Sequence, residues 1–384
     1  MRMNCFTTLA LLVSFALHAD GQEAIELRLA PQEYGAEVLA LSGDGSTVFT
    51  RGSDFLPYRW DVANGEFNPL EIPVGGHRVA VLGATNDGSI AFGGMYRLDF
   101  PDFPESQPKA AIIWQGSEHT RITEANGTDL GPIRQVLGGE DQSIENLTLI
   151  GNDWIKLPNQ PIDDFVRRTG RDITFTDGKY LEDGRFVALG YDWVSSRPLV
   201  YHQNEVFSLL SVNPGEKQES YAVFAEDGGH IGSTVNRPFG IGRATVDTAA
   251  LWSATAIDDP SEVPKAFADN GIRNAARWDM SADASVVLTN AGLWFPEESS
   301  TVFTLPEVVR QHDWPVSAEL EDFLPRYMSH NSQVFAGSVS DGLRERAAVI
   351  RLPEPLIIPE PTSIALLGIC VATLILVQSR RPRC

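Results

Sequence analysis

From residue 38 to residue 350 the chain alternates short apolar runs of strand character with turns centred on Asp-Gly or a close relative. Val38-Leu39-Ala40-Leu41 leads through Gly43-Asp44-Gly45 to Thr47-Val48-Phe49, and Val79-Ala80-Val81-Leu82 leads through Asn86-Asp87-Gly88 to Ile90-Ala91-Phe92. The pattern returns at Glu182-Asp183-Gly184 and Glu226-Asp227-Gly228, and in weaker form at Ala282-Asp283-Ala284 and His330-Asn331-Ser332. Asp-Gly between apolar runs predicts a β-hairpin, because both residues tolerate the positive φ that tight turns need. The turns are spaced by 43, 96, 44, 56 and 48 residues, and because 96 is twice 48 a degenerate copy is expected near 135–141, before Leu147-Thr148-Leu149-Ile150-Gly151.

Each unit also holds a later apolar strand ending in a large residue: Trp60, Trp114, Tyr201, Trp252, Trp294 and Ile350. Several short strands per 40–50 residues is the length of a propeller blade. The expected fold class is therefore all-β, a β-propeller-like repeat body of seven blades of about 48 residues. Extra residues between turn and aromatic strand, at 97–109 and 234–247, are expected to form long loops on one face, where binding concentrates.

Both ends break the pattern. Arg2, an apolar stretch from Phe6 to Leu17 and the small residues Ala19 and Gly21 read as a secretory signal over 1–21, with Gln22 the first mature residue. At the other end Pro359-Glu360-Pro361-Thr362 precedes an apolar helix over 363–378, followed by Arg380, Arg381 and Arg383. Sixteen residues make roughly 24 Å of helix, short of the roughly 30 Å hydrocarbon core, so the span needs thinning or snorkelling arginines. Arginines beyond the helix place the extreme C-terminus in the cytoplasm and the body, 22–358, outside.

The tail, 359–384, resembles the PEP-CTERM sorting signal of Gram-negative bacteria: Pro-Glu-Pro-Ser/Thr, one short apolar helix, then an arginine cluster. The resemblance implies recognition at Pro359, Glu360, Pro361 and Thr362 by an exosortase, an integral-membrane protease-transpeptidase that processes the tail during export. Such a protein is held in the inner membrane by its C-terminal helix before processing and then delivered to the cell surface or beyond. The turn-and-Trp pattern of the body is similar to the extracellular HAF repeats often paired with this tail. Together the resemblances imply a non-enzymatic adhesive, scaffolding or carbohydrate-binding role in exopolysaccharide or biofilm. The alternative is a polysaccharide hydrolase or lyase on a propeller.

Composition sharpens the picture. The 384 residues carry 51 Asp and Glu against 30 Lys and Arg, a net charge of −21, which argues against a nucleic-acid partner because phosphate binding needs clustered cations. Cys5, Cys370 and Cys384 all lie in the terminal segments, so 22–358 has no disulfide, zinc-thiolate site or cysteine nucleophile. None of its histidines is paired at a metal-ligand spacing, and neither His-Glu-x-x-His nor Gly-x-Ser-x-Gly occurs. No catalytic, cofactor-binding or metal residue is therefore assigned, and no cofactor is expected. Calcium at Asp44, Asp87, Asp183 and Asp227 is the alternative to a purely structural turn, although no unit has the Asp-x-Asp-x-Asp-Gly ladder. Trp60, Trp114, Trp252 and Trp294 are expected in blade cores. Trp154, Trp193 and Trp314, each following an Asp in less regular stretches, are the candidates for a ligand surface.

Overall fold

The computed structural model of the chain describes residues 25–73, 78–96, 110–123, 130–138, 142–159, 166–167, 173–195, 197–202, 206–212, 217–218, 222–238, 245–259, 261–266, 277–297, 302–340 and 344–356. The signal segment 1–21 and the sorting segment 359–384, with its helix, lie outside these residues. No helix among the described residues is long and apolar enough to cross a membrane.

The strands form seven antiparallel sheets in sequence order, a seven-bladed β-propeller. Blades 1 to 6 occupy residues 37–69, 78–122, 133–167, 173–209, 217–266 and 277–303. Blade 7 takes three strands from 323–351 and its outermost from the other end of the body, β1 (Glu26–Leu29). β1 pairs with Glu345–Arg351, Leu27 opposite Ile350. Arg28 on β1 reaches on to blade 1, donating to the Val62 and Ala63 carbonyls. The ring is thus closed by the two ends of the body.

The middle strands read as unbroken apolar runs because they are buried on both faces. In Ala110–Gln115 of blade 2, Ala110, Ile112 and Trp114 face blade 1 while Ala111 and Ile113 face blade 3. The core is accordingly seven apolar layers, one between each pair of neighbouring blades. Two short helices, α1 (Leu305–Gln311) and α2 (Ala318–Glu321), link blades 6 and 7 and add Leu305, Val308, Val309 and Leu320 to the layer there.

The turns joining first to second strands have a common design. Thr85 Oγ1 and the Ser89 amide both donate to Asp87 Oδ1, at 2.7 and 3.0 Å, while the Ile90 amide donates to Thr85 Oγ1 at 3.1 Å. Ser42/Asp44/Ser46 and Ser281/Asp283/Ser285 repeat it, and Ser329/Asn331/Gln333 does so with an amide in place of the carboxylate. Where glycine is missing, Ala284 and Ser332 take its positive φ, +56° and +53° against +66° at Gly88. That costs roughly 1–2 kcal/mol per residue. The hydrogen bonds to Asp283 and Asn331 offset it, so the weak copies still make the turn.

Burial alone would raise the Asp87 and Asp283 carboxyls, but the hydrogen bonds from their own turns outweigh it and hold both below the ordinary 3.8. A carboxyl depressed in the folded state stabilises above its unfolded value and loses that contribution as pH falls through the folded one. The urea midpoint should therefore be flat above about pH 5 and drop below pH 4. Asp87→Asn should make the drop shallower, and an unchanged acid slope in that variant would contradict the assignment.

The expected loop at 234–247 is corrected: 234–238 and 245–247 extend the paired strands His230–Pro238 and Thr245–Ser253. Residues 97–109 and 239–244 lie outside the described residues.

Candidate functional site

At the propeller axis the turns of successive blades are linked amide to carbonyl. Asp227 donates to Ala282, Ala282 to His330, His330 to Gly43, and Asp44 to Asn86, at 2.7–3.0 Å. These four links tie the turns of blades 5, 6, 7, 1 and 2 into an arc. A Cβ at Gly43 would lie 2.2 Å from Asn86 Oδ1 and 2.3 Å from His330 Cε1, so a larger residue there would displace those side chains.

Among the described residues the arc ends where two blades depart from the repeat. In blade 3 a 3-10 turn, Ile144–Asn146, lies between the strands Ile133–Leu137 and Thr148–Gly151. Buried Lys156 donates to the Ile144, Glu145 and Leu147 carbonyls of that connection at 2.7–3.3 Å. Burial pushes the Lys156 ammonium below its ordinary value. In blade 4 the first hairpin is two residues longer. Ala40 to Asp44, Gly83 to Asp87, Asp279 to Asp283 and Tyr327 to Asn331 are four residues apart, whereas Asp177 to Asp183 is six. The extension carries Lys179, whose ammonium donates to the Glu226 and Ala225 carbonyls. A side chain thus makes the contact between blades 4 and 5 that backbone amides make elsewhere.

The gap opens into an axial cavity of about 360 Å³, lined by the inner strands of blades 2 to 5 and by His330. Its polar rim consists of Asn86, Lys179, Glu226 and His330, with Phe224 as an aromatic wall. The Glu226 carboxylate faces His330 Nδ1. A second cleft, about 600 Å³, lies between blades 4 and 5 and shares Lys179 with the axial cavity. In it Arg185 holds both Asp258, at 3.1 and 3.3 Å, and Asp183, at 2.5 Å. The Arg185 amide first and its guanidinium second keep the Asp183 carboxyl below its ordinary value, and the guanidinium does the same for Asp258.

The carboxylate deepest in the axial cavity has a structural task. Six inner strands carry a β-bulge, and Gln135, Asp177 and Asp279 each occupy the position just after it. Gln135 Oε1 accepts from the Gly178 amide of the next blade at 2.6 Å, Asp177 Oδ2 from Phe224 at 2.6 Å, and Asp279 Oδ2 from Met328 at 2.9 Å. Asp177 Oδ1 also accepts from Gly178 at 2.8 Å. These side chains clip one blade to the next. Sequence reasoning missed them, although a polar residue interrupting an inner strand four or six positions before the turn was a readable signal.

The three tryptophans expected at a ligand surface are not brought together. Trp154, 1% exposed, is the fifth member of the core series: its Nε1 donates to the Gly131 carbonyl at 3.1 Å, as Trp114 does to Glu71 and Trp252 to Ser211. Trp314 is half-buried against the blade 6/7 layer and stacked on His312 at 4.6 Å. Trp193 is 53% exposed, packed edge-on to Tyr191, with Nε1 on Thr174 Oγ1 at 2.9 Å. Trp60, Trp114, Trp252 and Trp294 are buried as expected.

Among the described residues no group of three or more His, Cys, Asp or Glu could hold a metal ion. Asp44, Asp87, Asp183 and Asp227 each accept from a backbone amide two residues ahead within their own turn. A chelator is expected to leave the melting temperature unchanged, and a fall would restore the calcium alternative.

No family model matches the chain, and no curated protein matches it. Solved structures do. U3-55K covers 85% of this chain and 98% of its own at 13% identity, TM-score 0.52. The RRP9 WD40 repeats cover 85% and 97% at 14% identity, TM-score 0.52. An oligogalacturonate lyase from Vibrio parahaemolyticus covers 82% and 76% at 10% identity, with a TM-score of 0.39. The likeness to these first two structures agrees with the propeller fold formed by the seven sheets and extends to the fold alone.

Proposed function

We propose that this protein is an exported, surface- or matrix-associated binding module that engages extracellular polysaccharide through the axial gap on its Asp-Gly face and does no chemistry on it. The observation that carries the reading is how the cavity's carboxylates are committed. Asp177 accepts amides from two blades, and Glu226 faces His330. A carboxylate that accepts amides from two neighbouring blades is held in place by the ring and serves its closure. Export rests on the terminal segments, with exosortase as the processing partner and the C-terminal helix as the anchor before processing.

The test is to incubate residues 22–358 with the producer's own exopolysaccharide, scoring co-sedimentation and polymer length together. Retention of polymer at unchanged length is the expected result. Shortened polymer would replace this reading by the hydrolase or lyase alternative, and no retention would remove the polysaccharide as partner. For export, Glu360→Ala should leave the chain unprocessed in the inner membrane, detected as the larger species in membrane fractions. Normal surface delivery of that variant would remove the sorting argument.

A further inference from the structure

The Lys179 ammonium is held at the wall of the axial cavity by the neutral Glu226 and Ala225 carbonyls. Of the carboxylates at the cavity, Asp177 accepts two backbone amides and Glu226 faces His330 Nδ1. The rim therefore presents a cation whose described hydrogen bonds are all to uncharged oxygens, in a chain whose net charge is −21. Beside it stand the exposed Asn86 side chain, able to donate and accept, and Phe224, which offers an apolar wall. The volume, about 360 Å³, falls at the small end of the roughly 300–1,000 Å³ that ligand sites occupy.

The site also has an origin in the chain. Lys179 stands in the two-residue extension of the blade 4 hairpin, and the gap it borders coincides with the altered connection of blade 3. Extension and altered connection act at the same point of the ring.

We propose that the axial cavity takes a hydroxylated carboxylate of sugar-acid size, with Lys179 as the residue that selects the carboxylate and Asn86 meeting hydroxyls. This rests on the reading of the Asp-Gly face as the binding face and names the chemistry bound there. A free carboxylate needs a cation not already neutralised by a carboxylate, which Lys179 supplies. Hydroxyls need a neighbouring donor and acceptor, and the Asn86 side-chain amide supplies both.

The experiment is calorimetric titration of the full chain with glucuronate, glucose and lactate. Glucuronate should bind ~10-fold or more tightly than glucose, the increment of a charge-assisted hydrogen bond. Lactate, with a carboxylate but one hydroxyl, should bind more weakly than glucuronate. Lys179→Met should lose the preference for glucuronate over glucose, and Lys179→Arg should keep part of it. Should Lys179→Met fail to melt cooperatively, Asn86→Ala, at an exposed turn position, is the second variant and should weaken both sugars.

Equal affinity for glucuronate and glucose, lactate binding as tightly as glucuronate, or an unchanged preference in Lys179→Met would each overturn the proposal. Polymer retained by a wild type that does not bind glucuronate overturns this inference alone. Loss of both overturns the binding-module reading as well.

Discussion

Trp114→Ala should destabilise the protein by about 3–5 kcal/mol, the cost of removing a buried tryptophan from a core that collapses only in part. Trp114 is 0% exposed, on the third strand of blade 2, and its ring lies in the layer shared with blade 1. Its indole donates to the Glu71 carbonyl at 2.9 Å, just beyond the outer strand of blade 1. The ring therefore fills an inter-blade layer and ties down the connection that carries the chain from one blade to the next. Trp114→Phe separates the two roles. It keeps most of the volume and leaves a partly buried carbonyl without its donor, so its cost should be nearer 1–3 kcal/mol. The measurement is the urea midpoint and slope for both variants. A loss under about 1 kcal/mol in Trp114→Ala would show that the blade 1/2 layer is not a stabilising core.

Removing β1 by starting the chain at Pro31 should be the second large effect. β1 supplies the outer strand of blade 7 through four residue pairs with Glu345–Arg351, and Ile25 and Leu27 pack against the blade 6/7 layer. Arg28 adds contacts to the Val62 and Ala63 carbonyls of blade 1. Each backbone hydrogen bond contributes on the order of 0.5–1.5 kcal/mol net, so the strand is worth several kcal/mol. Its loss also bares the edge of Glu345–Arg351, an open template for pairing with another chain. The truncated protein should melt at a clearly lower temperature and self-associate. A peptide covering 25–36 should restore melting temperature and monomer together by adding the missing strand in trans. A truncated protein that melts like the full body would mean that β1 does not close the ring.

Much of this architecture was readable in the chain because its determinants are local. The turn at Thr85-Asn86-Asp87-Gly88-Ser89 satisfies its own donors within five residues, so its motif alone predicts it. The same holds for Ser281–Ser285 and Ser329–Gln333, where an Asp or Asn compensates for the lost glycine. The third strands ending in tryptophan were equally plain, being apolar on both faces. Trp154 was misplaced because blade 3 lacks the Asp-Gly turn from which the others were counted, so nothing nearby marked it as a third-strand residue. The strand extension through 234–238 and 245–247 was read as a loop because its partner residues lie on either side of the segment itself.

By itself the sequence pointed to an all-β propeller of about seven blades, to the first hairpins of the blades that keep the Asp-Gly motif or a close variant, and to most of the tryptophans that fill the inter-blade layers. These follow from periodicity and from hydrogen bonds between near neighbours in the chain. Only the tertiary structure decided that the turns join into an arc at the axis, that blades 3 and 4 leave it open, and that Lys179 borders the opening. The turn-to-turn links join residues 42 to 287 positions apart, and the side-chain clips residues 43 to 49 apart, as in Gln135 to Gly178, Asp177 to Phe224 and Asp279 to Met328. A two-residue difference between Asp177 and Asp183 is visible in the chain, but its effect depends on where the neighbouring blades place their own turns, and that is set only when the ring closes.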